Sequence, residues 1–298
     1  MTSVIETETT FEKVIRLLRW DKPAGRLILM LPALWSLVLA SHVAGTVPQL
    51  NLLIIVVLGS LATSAAGCVI NDLWDRDLDI QVERTKARPL AARSLSLSIG
   101  LVVLAVAGVC AFLAAAYLNL LSFSLSLAAV PVICFYPACK RFFPVPQLVL
   151  SIAWGFSVLI PWAAVVGSLD LHTWALWGAV VAWTLGFDTI YALSDRPDDL
   201  RIGIKSSAIF LGEFTQLGIL AFFIIASSLL LWLGIDMKLG YPHLFAWAIA
   251  TILWIWQYWQ LIQPDLASSI YQALFRQNVW IGFCLLLGMC GASIQDLI

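Results

Sequence analysis

The sequence predicts an all-α fold, that of a polytopic membrane protein with nine transmembrane helices. Hydrophobic residues make up 61% of the 298 residues, and charged residues only 12%. The mean hydropathy of +0.93 lies well above the range of soluble proteins. The apolar residues also fall into runs of about 20, which is the length that crosses a bilayer core as a helix. Soluble enzymes and soluble binding domains are therefore excluded.

Nine apolar segments are long enough to cross the hydrocarbon core. We interpret each as a helix, because an open strand edge would leave backbone N–H and C=O groups without partners in lipid. The first segment is not a secretory signal peptide, since a charged segment precedes it and no small-residue cleavage site follows. The predicted spans are residues 24–42, 50–70, 96–117, 119–138, 146–167, 172–192, 208–234, 242–262 and 278–295.

The distribution of Lys and Arg predicts the orientation of these spans. Of the seventeen cations, only Lys238 falls in a connection that follows an odd-numbered span. By the positive-inside rule, the N-terminus and the charged loops are cytoplasmic, and an odd number of spans places the C-terminus on the opposite side. We expect a cytoplasmic N-terminal segment over residues 1–23 and a single transmembrane domain over 24–298. A bacterial-type inner or plasma membrane is the expected location.

The first charged segment, NDLWDRDLDIQVERTKARPLAAR, covers residues 71–93 and carries five carboxylates and five cations. Asp72, Asp75 and Asp79 are spaced i, i+3 and i+7, which places three carboxylates on one helical face. Like charges on adjacent turns destabilise a helix, so we expect cations among them. Asp77 falls off that face and is expected to be solvated or paired with an arginine.

The second charged segment, DTIYALSDRPDDLRIGIK, covers residues 188–205 and repeats this spacing. Asp195 and Asp199 are four residues apart, but Pro197 lies between them. The two carboxylates share a face only if a new helix starts there, with the proline in its first turn. Asp198 is the candidate cap of that helix.

Oxygen ligands without neighbouring His or Cys are typical of Mg²⁺, which keeps several waters and is usually shared with substrate phosphates. The two aspartate clusters are about 120 residues apart, lie on the same side of the membrane and are flanked by Arg and Lys. They are expected to hold a diphosphate between metal ions. The alternative is a pair of solvated loops whose charges only set topology. No basic stripe indicates nucleic-acid binding.

Several stretches resemble one family. They are NDxxDxxxD at 71–79, RTKARPL at 84–90, DTIYALSDRPDDLRIGIKSSA at 188–208, RWDKPAGRLILMLPALW at 19–35 and YPxxKR at 136–141. Together they resemble the UbiA superfamily of intramembrane aromatic prenyltransferases over essentially the whole chain, and nine helices is that family's architecture. The Asn-Asp start of the first motif, RTxxRPL and DKPxG resemble the 4-hydroxybenzoate polyprenyltransferase branch. The tocopherol and chlorophyll branches usually have Asn-Gln at that point.

The resemblance implies an activity and a cofactor. The activity is transfer of a polyprenyl group from a polyprenyl diphosphate to the ring of 4-hydroxybenzoate in quinone biosynthesis, and the cofactor is Mg²⁺. The implied metal ligands are Asn71, Asp72, Asp75, Asp79, Asp195 and Asp199, with Asp72 either a direct or an outer ligand. The candidate catalytic residues among them are Asp75, Asp79, Asp195 and Asp199.

Basic residues complete the predicted site. The candidates for diphosphate contacts are Arg88, Lys140, Arg141 and Lys205, each of which has an alternative role as a positive-inside anchor. Arg26 is the candidate for the carboxylate of the aromatic acceptor, because an arginine inside an apolar run is a functional hypothesis by default. The alternative for Arg26 is a side chain that snorkels to the cytoplasmic interface.

Two other functions stay open at this point. Within the family, homogentisate or another aromatic compound is an alternative acceptor. Outside the enzymes, a secondary transporter for an anionic metabolite also carries charge within its membrane helices. Transporter sites lie near the bilayer midplane, however, whereas these carboxylates cluster at one face. The prenyl chain length and the oligomeric state are not predicted by the sequence.

Overall fold

Helices account for all regular secondary structure in the residues that the structure, a computed structural model, describes: 8–264 and 266–295. They are α1 Thr10–Leu17, α2 Ala24–Val43, α3 Leu50–Trp74, α4 Arg76–Asp79, α5 Leu97–Ala116, α6 Leu120–Cys139, α7 Pro146–Val166, α8 Leu171–Ile202, α9 Ser207–Leu211, α10 Thr215–Asp236, α11 Gly240–Leu261 and α12 Ser268–Gln295. A 3₁₀ turn, Gly212–Phe214, joins α9 to α10. The all-α prediction is confirmed for these residues.

Eight of the predicted spans each coincide with one long helix of the described chain, although several ends differ, and the span 208–234 covers α9, the 3₁₀ turn and most of α10. Helix α8 continues ten residues beyond the predicted end at 192, and α12 begins ten residues before the predicted start at 278. Eight of the helices are long and apolar enough to cross a membrane, counting α9 and α10 as one segment. The one long helix of the described chain outside that set is α11, whose tryptophan, tyrosine, glutamine and histidine side chains lower its hydropathy. The chain is therefore an integral, multi-pass membrane protein.

Polar side chains mark where several helices begin. Ser96 and Asn119 accept hydrogen bonds from backbone N–H groups in the first turns of α5 and α6. Asp170 forms a capping box with Thr173 at the start of α8, and Gly203 ends that helix with a positive φ of 76°. Such caps satisfy groups at helix ends that have no partner within the helix.

The most closely packed part of the molecule contains α2, α7, α8, α10, α11 and α12. Its interior is filled by large aromatic side chains, and the ring of Trp35 stacks on that of Trp183 at a centroid distance of 4.9 Å. Helices α3, α5 and α6 bury a much smaller part of their surface and present apolar side chains outwards. Those outward faces suit contact with lipid chains.

A smaller apolar cluster holds the N-terminal segment and the α4–α5 loop against α3. It is formed by Leu17, Val69, Leu90 and Leu95, all of which are buried. Arg16 of α1 also donates a hydrogen bond to the carbonyl oxygen of Ala87. As a result, the loop that carries RTKARPL is fixed over the end of α3, next to the predicted site.

Candidate active site

The first aspartate cluster lies where α3 ends. Trp74 is the last residue of α3, and Asp75 has φ −97° and ψ 9°, outside the helical region. Helix α4 starts again at Arg76, so the predicted single helical face is wrong in detail. The three carboxylates nevertheless all point inwards, with exposed fractions of 1% for Asp72, 3% for Asp75 and 7% for Asp79. Burial of three carboxylates requires compensating positive charge.

Arginines from two other parts of the chain provide some of that charge. Arg19, in the segment before α2, donates to Oδ1 of Asp72 at 2.5 Å. Arg88, in the loop after α4, donates to the same oxygen at 3.2 Å and to Oδ2 of Asp79 at 2.7 Å. The expectation of cations among the aspartates is confirmed. Arg19 was not among the predicted site residues, although it belongs to the quoted RWDKPAG stretch.

Residues after α6 provide the remaining charge on the first cluster. The ammonium group of Lys140 donates to Oδ2 of Asp75 at 2.7 Å and to Oδ1 of Asn71 at 3.1 Å. Arg141 lies 3.6 Å from Oδ1 of Asp75 and donates to the carbonyl oxygen of Trp74 at 2.7 Å. The structure thus brings Asn71 and Asp75 together with two of the predicted diphosphate residues.

The second aspartate cluster lies on one uninterrupted helix. Helix α8 runs through Pro197 to Ile202, so no new helix begins there and Asp198 is not a cap. The prediction of a new helix is therefore wrong. Asp195 and Asp199 nevertheless share a face, because they are one turn apart on the same helix. Asp198 instead accepts a hydrogen bond from the backbone N–H of Glu83 at 3.1 Å.

Arg84 connects the two clusters and was not predicted as a site residue. Its Nε donates to Oδ1 of Asp195 at 2.8 Å, and its Nη2 donates to Oδ2 at 2.5 Å, which is a bidentate pair. The guanidinium also lies over the ring of Tyr191, 4.7 Å from its centroid. Arg84 is the first residue of the RTKARPL stretch, so the sequence does indicate it as a site residue, although only the second arginine, Arg88, is among the predicted ones.

Asp77 differs from its neighbours as predicted. Its side chain is 83% exposed, and one oxygen accepts a hydrogen bond from Arg93 at 2.6 Å. The prediction that it is solvated or paired with an arginine is confirmed. Lys205, predicted to contact diphosphate, is exposed, and its backbone N–H donates to the carbonyl oxygen of Lys140 at 2.8 Å. Its ammonium group contacts no aspartate of either cluster in the described chain.

Burial and neighbouring charge set the ionisation of these groups. Burial raises the pKa of the Asp79 carboxyl above its usual value, and the positive charge of Arg88 opposes this effect. For Arg84, burial lowers the pKa of the guanidinium, but the hydrogen bonds to Asp195 outweigh it and the pKa is raised. For Lys140, burial also lowers the pKa, and Tyr136 and Asp75 raise it above the usual value. Both cations are therefore kept charged beside the aspartates.

The oxygen atoms of the first cluster fit a divalent metal ion. Oδ2 of Asp72 and Oδ1 of Asp75 are buried and have no hydrogen-bond partner among the described residues. Carboxylate and amide oxygens without His or Cys are the ligands that Mg²⁺ prefers. Within the described chain, no three acidic, His or Cys side chains are gathered around one point where a metal would lie. The aspartates are turned towards Arg and Lys instead, so a metal would have to replace some of these ion pairs.

Arg26, in the first turn of α2, takes no part in these ion pairs. It is 6% exposed, and its Nε and Nη2 atoms are buried without a hydrogen-bond partner in the described part of the chain. The ring of Trp20 lies over the guanidinium at 5.2 Å. Two of its nitrogens are therefore shielded from water, which is the opposite of what snorkelling predicts.

Comparisons with known proteins agree on the family. The model of the UbiA prenyltransferase family matches residues 29–281. A 4-hydroxybenzoate solanesyltransferase of Synechocystis sp. is 56% identical over 276 residues, covering 93% of this chain and 94% of that protein. A 4-hydroxybenzoate octaprenyltransferase of Azoarcus sp. is 39% identical over 274 residues, covering 92% of this chain and 94% of that protein.

Solved structures share the fold. The apo structure of a UbiA homologue from Aeropyrum pernix K1 has a TM-score of 0.75 at 24% identity and covers 92% of this chain and 98% of that one. A UbiA homologue from Archaeoglobus fulgidus bound to DMAPP and Mg²⁺ has a TM-score of 0.66 at 18% identity, covering 92% of this chain and 99% of that one. With the family model matching most of its length, this chain belongs to the UbiA prenyltransferase family.

Proposed function

We propose that this protein transfers a polyprenyl group from a polyprenyl diphosphate to the ring of 4-hydroxybenzoate, with release of diphosphate, in quinone biosynthesis. The 56% identity to a 4-hydroxybenzoate solanesyltransferase, over nearly the full length of both chains, carries this proposal. The arrangement of charge supports it independently. Buried aspartates and cations meet at the C-terminal ends of α3, α6 and α8, next to helices whose apolar faces suit an isoprenoid chain.

The proposed diphosphate site uses both clusters. Asn71, Asp75 and Asp79 on one side and Asp195 and Asp199 on the other would hold Mg²⁺, with Asp72 as a direct or outer ligand. Bound Mg²⁺ supplies positive charge that stabilises a leaving diphosphate. Its use is supported by the donor atoms and by a UbiA homologue of this fold that was solved with DMAPP and Mg²⁺.

The cations of the chain would bind the rest of the diphosphate. Arg88 and Lys140 now satisfy buried carboxylates, and Arg141 lies beside them. Once these carboxylates face a metal, the same donors are available for phosphate oxygens. Lys205 stays a candidate at the exposed rim.

These groups favour a reaction that begins with ionisation of the prenyl donor. The allylic C–O bond of the donor breaks, and its electron pair stays on the departing diphosphate, where the cations stabilise it. The ring carbon ortho to the phenol hydroxyl of the acceptor then forms the new C–C bond, and the hydrogen on that carbon leaves as a proton. Helices of low polarity around the site exclude water, which would otherwise capture the allylic cation.

We also propose the membrane topology. Nine crossings follow from the nine apolar runs. The positions of Lys and Arg make the N-terminal segment over residues 1–23 cytoplasmic, ahead of a transmembrane domain over 24–298. The C-terminus would then lie on the opposite side of a bacterial-type inner membrane; residues 1–7 and 296–298 are outside the described chain. A reporter fused after residue 298 should respond as extracytoplasmic, and one inserted near Ala92 as cytoplasmic. Finding both on the same side would contradict nine crossings.

The activity can be tested with purified protein in detergent. Polyprenyl diphosphates of several lengths are supplied with 4-hydroxybenzoate or homogentisate, and the prenylated product is measured by mass spectrometry. We expect product with 4-hydroxybenzoate, loss of product in EDTA and recovery on addition of Mg²⁺. Product with homogentisate alone, or uptake of 4-hydroxybenzoate into proteoliposomes without any prenylation, would contradict the proposal.

A further inference from the structure

Arg26 is a buried cation that the ion pairs of the two aspartate clusters do not use. In the described part of the chain it takes part in no ion pair, and two of its nitrogens have no acceptor. The positively charged Arg19 lies within electrostatic range and adds to the cost of burying Arg26, whereas Asp21, also within range, offsets part of it without pairing with the guanidinium. An unpaired buried charge is strongly unfavourable unless an anionic partner binds it. Arg26 is therefore arranged for a ligand of negative charge.

The two unsatisfied atoms indicate the shape of that ligand. Nε and Nη2 lie on one edge of the guanidinium, and this edge offers two parallel N–H groups. Arg84 uses the same two atoms to hold both oxygens of the Asp195 carboxylate. Trp20 covers a face of the Arg26 guanidinium, and the edge is left for the ligand. A planar carboxylate fits such an edge through two hydrogen bonds.

The location of Arg26 narrows the choice of carboxylate. Helix α2 contacts α3, and Arg26 is within electrostatic range of Cys68, one turn before Asp72 on α3. Arg26 and the first aspartate cluster thus lie on neighbouring turns of adjacent helices. A 4-hydroxybenzoate bound by its carboxylate at Arg26 would have its para hydroxyl at the far end of the ring, away from the guanidinium. The location therefore favours the carboxylate of the aromatic acceptor.

We propose that Arg26 binds the carboxylate of the aromatic acceptor through its Nε and Nη2 atoms and so selects acidic over neutral phenols. This inference rests on the proposed function and names the subsite that recognises the acceptor. It assigns Arg26 to binding, with no part in cleavage of the donor.

The test compares an acid with its neutral ester. Methyl 4-hydroxybenzoate keeps the ring and the para hydroxyl but has no negative charge. In the variant Arg26→Met, the KM for 4-hydroxybenzoate should rise about ten- to hundredfold, which is the effect of losing a charge-assisted hydrogen-bonded contact. The KM values for the ester and for the prenyl diphosphate should stay unchanged. Arg26→Lys should give an intermediate KM for the acid, because an ammonium group lacks the two-point edge.

Lys22→Met is the matched control, since Lys22 is an exposed cation four residues before Arg26, just ahead of α2. Equilibrium dialysis with labelled 4-hydroxybenzoate, without donor, gives a readout besides activity: binding should be lost in Arg26→Met and kept in Lys22→Met. A higher KM for the prenyl diphosphate would overturn the inference and assign Arg26 to the donor. Unchanged binding of 4-hydroxybenzoate by Arg26→Met would also overturn the inference. If Arg26→Met does not fold, unchanged binding by Arg26→Lys would overturn it in the same way. Wild-type protein that neither binds nor prenylates 4-hydroxybenzoate would instead contradict the proposed function.

Discussion

The two aspartate clusters share a side of the membrane and a spacing, but they differ in how their charge is balanced. In the first cluster, Asp72, Asp75 and Asp79 are buried, and each has at least one cation within 2.7 Å. Those cations come from the segment before α2, the loop after α4 and the end of α6. In the second cluster, Asp195 has one ion-pair partner in the described chain, and Asp199 has none there.

That single partner makes the second cluster dependent on the first. Arg84 belongs to the loop that also provides Arg88 to Asp72 and Asp79. The backbone of Glu83, next to Arg84, donates to Asp198, and Arg201 donates to the carbonyl oxygen of Gln81 at 2.6 Å. Three contacts thus fasten one loop to the end of α8. The two clusters therefore form one unit, in which several elements of the fold hold the first cluster and one loop holds the second.

Removing one aspartate from each cluster should have the largest effect. Asp75→Ala and Asp195→Ala should each lower turnover by more than about a hundredfold, because each removes a proposed metal ligand. Prenylation by the purified variants, with folding checked by thermal unfolding in detergent, measures this. If either variant keeps normal turnover, its cluster is not part of the catalytic site.

Removing the connection between the clusters should have an intermediate effect. Arg84→Gln takes away the bidentate hold on Asp195 and should lower kcat/KM about ten- to hundredfold. Lys86→Gln makes the same change of charge in the same loop, at an exposed pair with Glu83, and should be nearly neutral. Equal activities of the two variants would show that the Arg84–Asp195 pair does not position the second cluster.

Removing an aspartate from outside the unit should have the smallest effect. Asp77 lies between Asp75 and Asp79 in the sequence, but its carboxylate is exposed and pairs with Arg93 at the surface. Asp77→Ala should keep activity within about twofold and change the free energy of unfolding by about 0.5 kcal/mol or less. Loss of turnover comparable to that of Asp75→Ala would contradict the division into buried and surface aspartates.

The sequence predicted the helices better than it predicted the connections between them. Apolar runs locate helices directly, since length and hydropathy suffice, and each predicted span except 208–234, which is divided between α9 and α10, coincides with one long helix. The exposed position of Asp77 followed from helical spacing alone. The partners Arg19 and Arg84 were missed because they lie 53 and 111 residues from Asp72 and Asp195, and no local pattern specifies such pairs.

Pro197 illustrates the limit of local rules within a helix. A proline removes one backbone hydrogen bond, which predicts a break between Asp195 and Asp199. Helix α8 continues nevertheless, and contacts of its end with the α4–α5 loop, through Asp198 and Arg201, accompany this continuation. Tertiary contacts of this kind are absent from a single-sequence pattern.

The dependence between the two clusters is tested most directly by a double-mutant cycle on turnover. Asp75→Ala, Asp195→Ala and the double variant are compared with the wild type under saturating Mg²⁺ and substrates. If the clusters act in one catalytic step, the double variant should be scarcely less active than either single variant, because residues that act as a unit are strongly non-additive. If the fold losses of turnover in the two single variants multiply in the double variant, the clusters act independently and do not form one shared site.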